Sequence, residues 1–136
     1  MTPVFVGVLL AIAVGLLGTI AGFERDRAYY PVVAIVIASY YALFAVLGGS
    51  SQALVLESLA GLLFVVAAIA GFRQSLWIVA GALAAHGVFD FVHPELIPNP
   101  GVPAWWPAFC LAFDVTAAAY LAWRLTGRRV RAADSR

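Results

Sequence analysis

Three ionisable side chains recur at helical spacing in the apolar segment between residues 75 and 93. They are His86, Asp90 and His93, which occupy positions i, i+4 and i+7. At about 100° per residue, Asp90 lies roughly 40° to one side of His86 and His93 roughly 20° to the other. One narrow face of this helix therefore carries two imidazoles and one carboxylate.

Two further apolar segments carry polar groups. Cys110 and Asp114 are four residues apart and share one helix face, and Glu57 follows the start of another segment. With a rise of about 1.5 Å per residue, these three groups lie about 9, 15 and 6 Å below the outer ends of their helices. By the same measure, His86 lies about 10 Å deeper than His93. We therefore expect all of these groups to share the outer half of a bilayer.

Imidazoles and carboxylates together form a nitrogen and oxygen ligand set that suits Zn²⁺, Fe or Mn. Metal sites in helical bundles are built in this way, from side chains on facing helices. Such a metal polarises an ester, amide or phosphoryl oxygen and can activate water. We assign the role of catalytic general base to Glu57. We assign metal binding to His86, Asp90, His93, Asp114 and Cys110.

Other interpretations of the same residues stay open. The polar groups can equally form a metal-free or proton-linked network, or pair helices structurally. Cys110 suits a core as a small apolar side chain, and His93 can cap a helix end beside Pro94. Glu57 can snorkel to the interface or cap the start of its helix.

Composition indicates which elements must position these residues. Of the 136 residues, 64% are hydrophobic and 11% are charged, and the mean hydropathy is +0.98. A soluble domain carries roughly a quarter charged residues, so this composition excludes a water-soluble protein. The net charge of +1 argues against a nucleic-acid partner, and the single cysteine excludes an intrachain disulfide. Membrane lipids are therefore the expected surroundings.

Five segments are long enough, at about 20 apolar residues each, to cross a membrane. Helices satisfy their backbone groups within such lengths, and short connections require antiparallel neighbours. The predicted fold class is all-α, an integral membrane bundle of five transmembrane helices. Residues 1–127 form its single domain, and residues 128–136 form a basic cytoplasmic tail. Pro94 is expected to close helix four. The predicted helices span residues 3–22, 28–49, 53–72, 75–93 and 104–125.

The arginines predict the orientation, because short loops rich in Lys and Arg stay cytoplasmic. All eight fall between helices one and two, between helices three and four, or at and beyond the end of helix five. The N-terminus is therefore expected outside and the C-terminus in the cytoplasm. The first segment lacks a basic leader and is interpreted as a membrane helix. Eight Arg beside no Lys indicate a GC-rich bacterial genome, and hence a bacterial plasma membrane.

Two weaker polar features complete the pattern. The turn of alternating charge at residues 24–27 is interpreted as a solvated inner loop. In helix two, Ser39, Tyr40 and Tyr41 lie mid-span and are candidates to line a pocket or to bond a neighbouring helix.

A longer motif extends over residues 86–114. It reads His-small-x-x-Asp-x-x-His, then Pro-x-Trp-aromatic, then Phe-Cys with an Asp four residues after the Cys. This motif resembles a family of small bacterial multi-helix membrane proteins of unknown function. The His and Asp spacing is also similar to that of metal-dependent membrane hydrolases that include the alkaline ceramidases, which have seven helices and more histidines. The resemblance singles out His86, Asp90, His93, Trp105, Cys110 and Asp114.

The leading functional hypothesis is a metal-dependent, hydrolase-type enzyme that acts on a lipid-like substrate from the outer leaflet. One alternative is a non-enzymatic membrane module that binds a small ligand or couples to protons. Another is a structural subunit of a membrane complex, and a homo-oligomer is compatible with each hypothesis.

Overall fold

A computed structural model describes the backbone of residues 1–134 and the side chains of residues 1–127. Within this part the fold is all-helical, and the five predicted membrane helices are confirmed. A short 3₁₀ turn, Phe23–Arg25, follows the first helix. The five helices are α1 (Thr2–Ala21), α2 (Tyr29–Leu47), α3 (Ser51–Arg73), α4 (Leu76–Leu96) and α5 (Trp106–Asp134).

Each of the five helices is long and apolar enough to cross a membrane. Large apolar side chains point away from the bundle along its outer surface, among them Phe5 at 64% exposure and Leu63 at 72%. Lipid satisfies such a surface, whereas water would not. Acidic and histidine side chains are instead buried in the bundle: Glu24, Glu57, His86, Asp90, His93 and Asp114.

Short turns reverse the chain between helices. Gly22 ends α1 with a left-handed backbone, at φ 79°, which glycine adopts without a steric penalty. Ser50 and Ser75 cap α3 and α4, because their hydroxyl oxygens accept hydrogen bonds from Ala53 N and Trp77 N. The predicted antiparallel neighbours follow from these turns.

The helices pack in the spatial order α2, α3, α4, α5, α1, and α4 also touches α2. Gly7 allows the close approach of α1 to α5, since a Cβ atom at this position would lie 2.4 Å from the carbonyl oxygen of Phe109. The first and last helices are therefore direct neighbours, and α4 lies between α3 and α5.

The two ends of the bundle differ in composition, and we name them accordingly. The proline-rich end contains the α2–α3 turn at residues 48–50 and the α4–α5 loop at residues 97–105. The arginine-rich end contains the α1–α2 and α3–α4 connections and the last turns of α5. Since the number of helices is odd, α1 begins at the proline-rich end and α5 runs from this end towards the arginine-rich end.

The expectation that Pro94 closes helix four is wrong. Pro94 lies inside α4, which continues to Leu96, and the amide of Ile97 still bonds to His93 O at 3.0 Å. Proline removes only its own amide donor, so one more turn can form before the loop begins. At the other boundary, α5 starts at Trp106 and its backbone continues as helix to Asp134, into the segment predicted as a tail.

The α4–α5 loop docks onto the end of α2 through two glycines. A Cβ atom on Gly101 would lie 1.8 Å from the carbonyl oxygen of Phe44, and one on Gly48 would lie 2.5 Å from Gly101 N. Only residues without a side chain allow this approach. The loop is thereby held over the interior of the proline-rich half.

The interpretation of residues 24–27 as a wholly solvated loop is wrong for Glu24. This side chain is only 6% exposed, and Arg124 of α5 donates to its Oε1 through both Nε and Nη2. Thr19 Oγ1 donates to the other oxygen at 3.0 Å and lies 2.8 Å from Tyr120 Oη. The partner is 100 positions away in the sequence, which local charge alternation does not reveal.

Candidate metal centre

The structure brings four of the predicted metal ligands together. One potential ligand atom from each of His86, Asp90, Cys110 and Asp114 lies within 4.8 Å of every other. All four side chains are buried, and both aspartates have no exposed surface. We call this group the α4–α5 cluster.

The imidazole of His86 lies between two carboxylates. Its Nδ1 shares a hydrogen bond with Asp114 Oδ2 at 2.6 Å and lies 3.4 Å from Asp90 Oδ2. The thiol of Cys110 lies 4.0 Å from the same Asp114 oxygen. The cluster thus offers one nitrogen, two carboxylates and one sulfur at a single point.

Helix periodicity and one glycine explain why these groups converge. His86 and Asp90 are one turn apart on α4, as are Cys110 and Asp114 on α5, so each pair shares a face. Gly87 favours the close approach of the two helices, since a Cβ atom there would lie 3.2 Å from Val115 Cγ2 of α5. The two faces therefore meet at the α4–α5 contact.

The charges of the α4–α5 cluster are not balanced by the described side chains. Asp90 Oδ2 and Asp114 Oδ1 are buried without a hydrogen-bond partner in this part of the chain. The four arginines among residues 1–127 lie at the arginine-rich end. With both carboxylates ionised, even a protonated His86 leaves one negative charge uncompensated. Buried charge of this kind requires a counter-ion or a proton.

The other two predicted site residues form a second group. His93 Nε2 shares a hydrogen bond with Glu57 Oε1 at 2.7 Å, and Asn99 Nδ2 donates to the same oxygen at 2.9 Å. Glu57 is 1% exposed, so it does not snorkel, and Ser50 caps α3 in its place. Glu57 Oε2 has no hydrogen-bond partner among the described residues. We call Glu57, His93 and Asn99 the loop-side cluster.

Tyr41 joins the two clusters. Its hydroxyl donates to Asp90 Oδ1 at 2.7 Å, and its ring stacks on the His93 ring with centroids 3.8 Å apart. Its backbone carbonyl accepts a hydrogen bond from Asn99. One residue of α2 therefore contacts both groups.

Sequence reasoning singled out Tyr41 only as a candidate pocket residue and did not single out Asn99. The signal for Tyr41 was its position in the middle of an apolar span. Asn99 lies in a loop between two prolines, where no helical period predicts a direction for its side chain. Its docking depends on the approach of the loop to α2.

Aromatic rings enclose the interior around His86. The Phe64 ring meets the imidazole edge to face with centroids 4.7 Å apart, and the Phe89 ring lies 5.9 Å away. Phe89 also contacts the His93 ring. These rings place apolar surface beside the polar atoms, and such surroundings strengthen the electrostatic interactions among them.

Two cavities approach the clusters from different directions. An apolar groove of about 430 Å³ lies between α1, α2 and α5 and reaches Cys110. A pocket of about 350 Å³ under the α4–α5 loop is lined by four prolines and reaches His93 and Asn99. The groove is lined mainly by apolar side chains, and the pocket combines apolar residues with His93 and Asn99.

Comparisons with protein-family models, with curated proteins and with solved structures find no match. The resemblance of residues 86–114 to a family of small bacterial membrane proteins therefore stays a prediction. Function has to be argued from the two clusters and the cavities that reach them.

Proposed function

We propose that the protein is a metal-dependent membrane enzyme of the hydrolase type, with a divalent metal at the α4–α5 cluster. The observation that carries this proposal is the convergence of four ligand-type side chains, among them two buried carboxylates that each keep one oxygen without a hydrogen-bond partner among the described residues. A divalent cation beside two carboxylates and a neutral imidazole gives a net charge of zero. Neutrality removes most of the cost of burying these groups.

The geometry fits a small transition metal after modest adjustment. Zinc bonds of about 2.0–2.2 Å to nitrogen and oxygen place ligand atoms roughly 3.3–3.6 Å apart. The separation of 3.4 Å between His86 and Asp90 already has this value. The 2.6 Å bond between His86 and Asp114 would open by less than about 1 Å as the ion replaces a shared proton. Zn²⁺, Fe and Mn all bind such nitrogen and oxygen donors, and Cys110 favours zinc or iron.

The surrounding residues would orient the ligands. Tyr41 holds one oxygen of Asp90 through its hydroxyl, and such outer hydrogen bonds fix the direction of a ligating carboxylate. A metal held there would polarise a carbonyl or phosphoryl oxygen of the substrate. Glu57 bonds to His93 rather than to the α4–α5 cluster, which favours a role beside the metal centre.

The apolar groove supports a lipid-like substrate. It is lined on three helices by side chains such as Leu10, Val36 and Phe113, and its floor includes Cys110 of the α4–α5 cluster. A hydrocarbon chain lying in the groove would therefore end close to the metal centre. We place the protein in the bacterial plasma membrane, with the N-terminus and the proline-rich end outside.

Metal content tests the proposal. Protein purified in detergent is expected to contain near-stoichiometric Zn, Fe or Mn by elemental analysis. His86→Ala and Asp114→Asn are expected to lose the metal while circular dichroism and size-exclusion profiles stay unchanged. Glu95→Gln is the matched control, because Glu95 is an exposed carboxylate on the same helix. Wild-type protein that stays metal-free after loading with each of these ions would exclude the proposal.

A second candidate is a metal-free module that binds a small ligand or couples to protons. The hydrogen bonds from Tyr41 to Asp90 and from His93 to Glu57 favour it, because linked acids and imidazoles hold protons. This candidate predicts no metal at any stage. Proton uptake measured between pH 5 and 9 would then differ between wild type and Asp90→Asn.

A further inference from the structure

Of the two cavities, the pocket under the α4–α5 loop is the one that reaches the loop-side cluster. The groove is walled by apolar side chains apart from Tyr40, Trp106 and Cys110. A cation that sheds its hydration shell there would meet hydrocarbon. The pocket reaches two polar side chains, the imidazole of His93 and the amide of Asn99, which lie among seven apolar lining residues.

The loop-side cluster contains the ligand types that a divalent cation needs. Glu57 carries one carboxylate oxygen that is buried and has no partner among the described residues. Its other oxygen is held by Asn99 and His93. Carboxylate oxygen and imidazole nitrogen are donors shared by Zn²⁺, Mn²⁺ and Fe²⁺.

We propose that Glu57 and His93 form a second, transient binding site that captures a divalent cation from water and delivers it to the α4–α5 cluster. This inference rests on the proposed metal-dependent function. The structure favours delivery in the inward direction, because the capture site has two protein ligands and the α4–α5 cluster has four. The capture site has one carboxylate and the inner site has two, so the attraction for a cation increases along the path.

The distance between the two sites is short. His93 lies three residues after Asp90 on α4, and residues at this spacing are about 5–6 Å apart at Cβ. Tyr41 packs between them, with its ring on His93 and its hydroxyl on Asp90. A cation leaving Glu57 therefore meets Asp90 as the next carboxylate.

The experiment separates the rate of metal loading from the final metal content. Protein stripped with a chelator and placed in nanodiscs is mixed with Co²⁺, whose visible absorption changes when protein ligands replace its water. Glu57→Gln and His93→Gln are expected to load about 10-fold more slowly or worse, since charged clefts raise association rates by that factor or more. The final stoichiometry is expected to match that of wild type. Glu95→Gln is the control and is expected to load at the wild-type rate.

A third variant leaves both ligands in place, so it still tests the inference if Glu57→Gln and His93→Gln misfold. Ala104→Trp fills the pocket from its exposed wall and is expected to slow Co²⁺ loading while leaving the final content unchanged. Loading of all three variants at the wild-type rate would overturn the inference and leave the metal centre intact. A lower final stoichiometry in Glu57→Gln would also overturn it, since Glu57 would then belong to the permanent site. Failure of wild type itself to bind Co²⁺ would remove the metal-dependent function on which the inference rests.

Discussion

Buried carboxylates at two levels of the bundle differ in how their charge is balanced. At the arginine-rich end, Glu24 receives hydrogen bonds from Arg124 and Thr19. In the α4–α5 cluster, Asp90 and Asp114 surround one imidazole and keep two carboxylate oxygens without a hydrogen-bond partner among the described residues. The first group contains its own cation, whereas the second requires a cation or a proton from outside the chain.

This difference separates a structural role from a binding role. A carboxylate paired with an arginine ties two elements together and has little capacity left for a ligand. Buried carboxylates without a cation persist only where something compensates them. The two groups should therefore respond in opposite ways to substitution and to added metal.

The largest expected effect is the loss of metal from the α4–α5 cluster. Asp114→Asn keeps the shape of the side chain but removes a negative charge, and the metal content is expected to fall to background in elemental analysis. Glu24→Gln makes the same chemical change at the arginine-rich end and is expected to keep the metal. Equal metal loss in both variants would contradict the division of roles.

The next effect concerns stability at the arginine-rich end. Arg124→Gln leaves Glu24 buried without its cation, and breaking a buried ion pair costs about 3 kcal/mol or more. Because the Arg124 side chain is 29% exposed, we expect about 2–3 kcal/mol in the free energy of unfolding. Reversible denaturation in mixed micelles measures this quantity. The double variant Glu24→Gln with Arg124→Gln should recover part of the loss.

Added metal should stabilise the fold through the α4–α5 cluster. A ligand present at about 100 times its Kd contributes about 2.7 kcal/mol when it binds only the folded state. The thermal midpoint of the wild type is expected to rise with added Zn²⁺. His86→Ala is expected to show no such rise, and Arg124→Gln is expected to rise as the wild type does. A rise in His86→Ala would indicate that Zn²⁺ binds elsewhere.

The smallest effect is expected from the outer hydrogen bond to Asp90. Tyr41→Phe removes the hydroxyl that holds this carboxylate, and loss of such bonds weakens metal binding by about 10-fold or more. Competition with a chelator of known affinity measures the change, and the stoichiometry should persist. Tyr40→Phe is the matched control, because the Tyr40 hydroxyl makes no hydrogen bond to the α4–α5 cluster among the described residues. An unchanged metal affinity in Tyr41→Phe would show that the hydrogen bond from Tyr41 to Asp90 does not contribute to metal binding.

The helical period predicted the stripe of His86, Asp90 and His93, but not its division between two neighbouring helices. Asp90 and His93 lie on opposite sides of His86 around the helix axis, and they contact different neighbouring helices. His86 and Asp90 face Asp114 of α5, whereas His93 bonds to Glu57 of α3. Because α4 lies between α3 and α5, a single stripe contacts both. The helical period gives the angle between two side chains around the helix axis. Only the packing of the helices determines which neighbouring helix each side chain contacts.

The spans could be predicted well because each needs a long apolar run. The hydrogen-bonded pairs that join distant parts of the chain could not be predicted. The sequence around Glu24 does not indicate Arg124 as its partner, and the sequence around Asn99 does not indicate Tyr41. In each case the polar residue was assigned to solvent or left out, since its partner becomes visible only once the helices are packed.

The contact between the first and last helices has a consequence for biosynthesis. Thr19 and Glu24 bond to Tyr120 and Arg124, which follow about 100 residues later. These bonds cannot form until the ribosome has produced the final span. The bond between Glu24 and Arg124 therefore forms only after the fifth span has been synthesised.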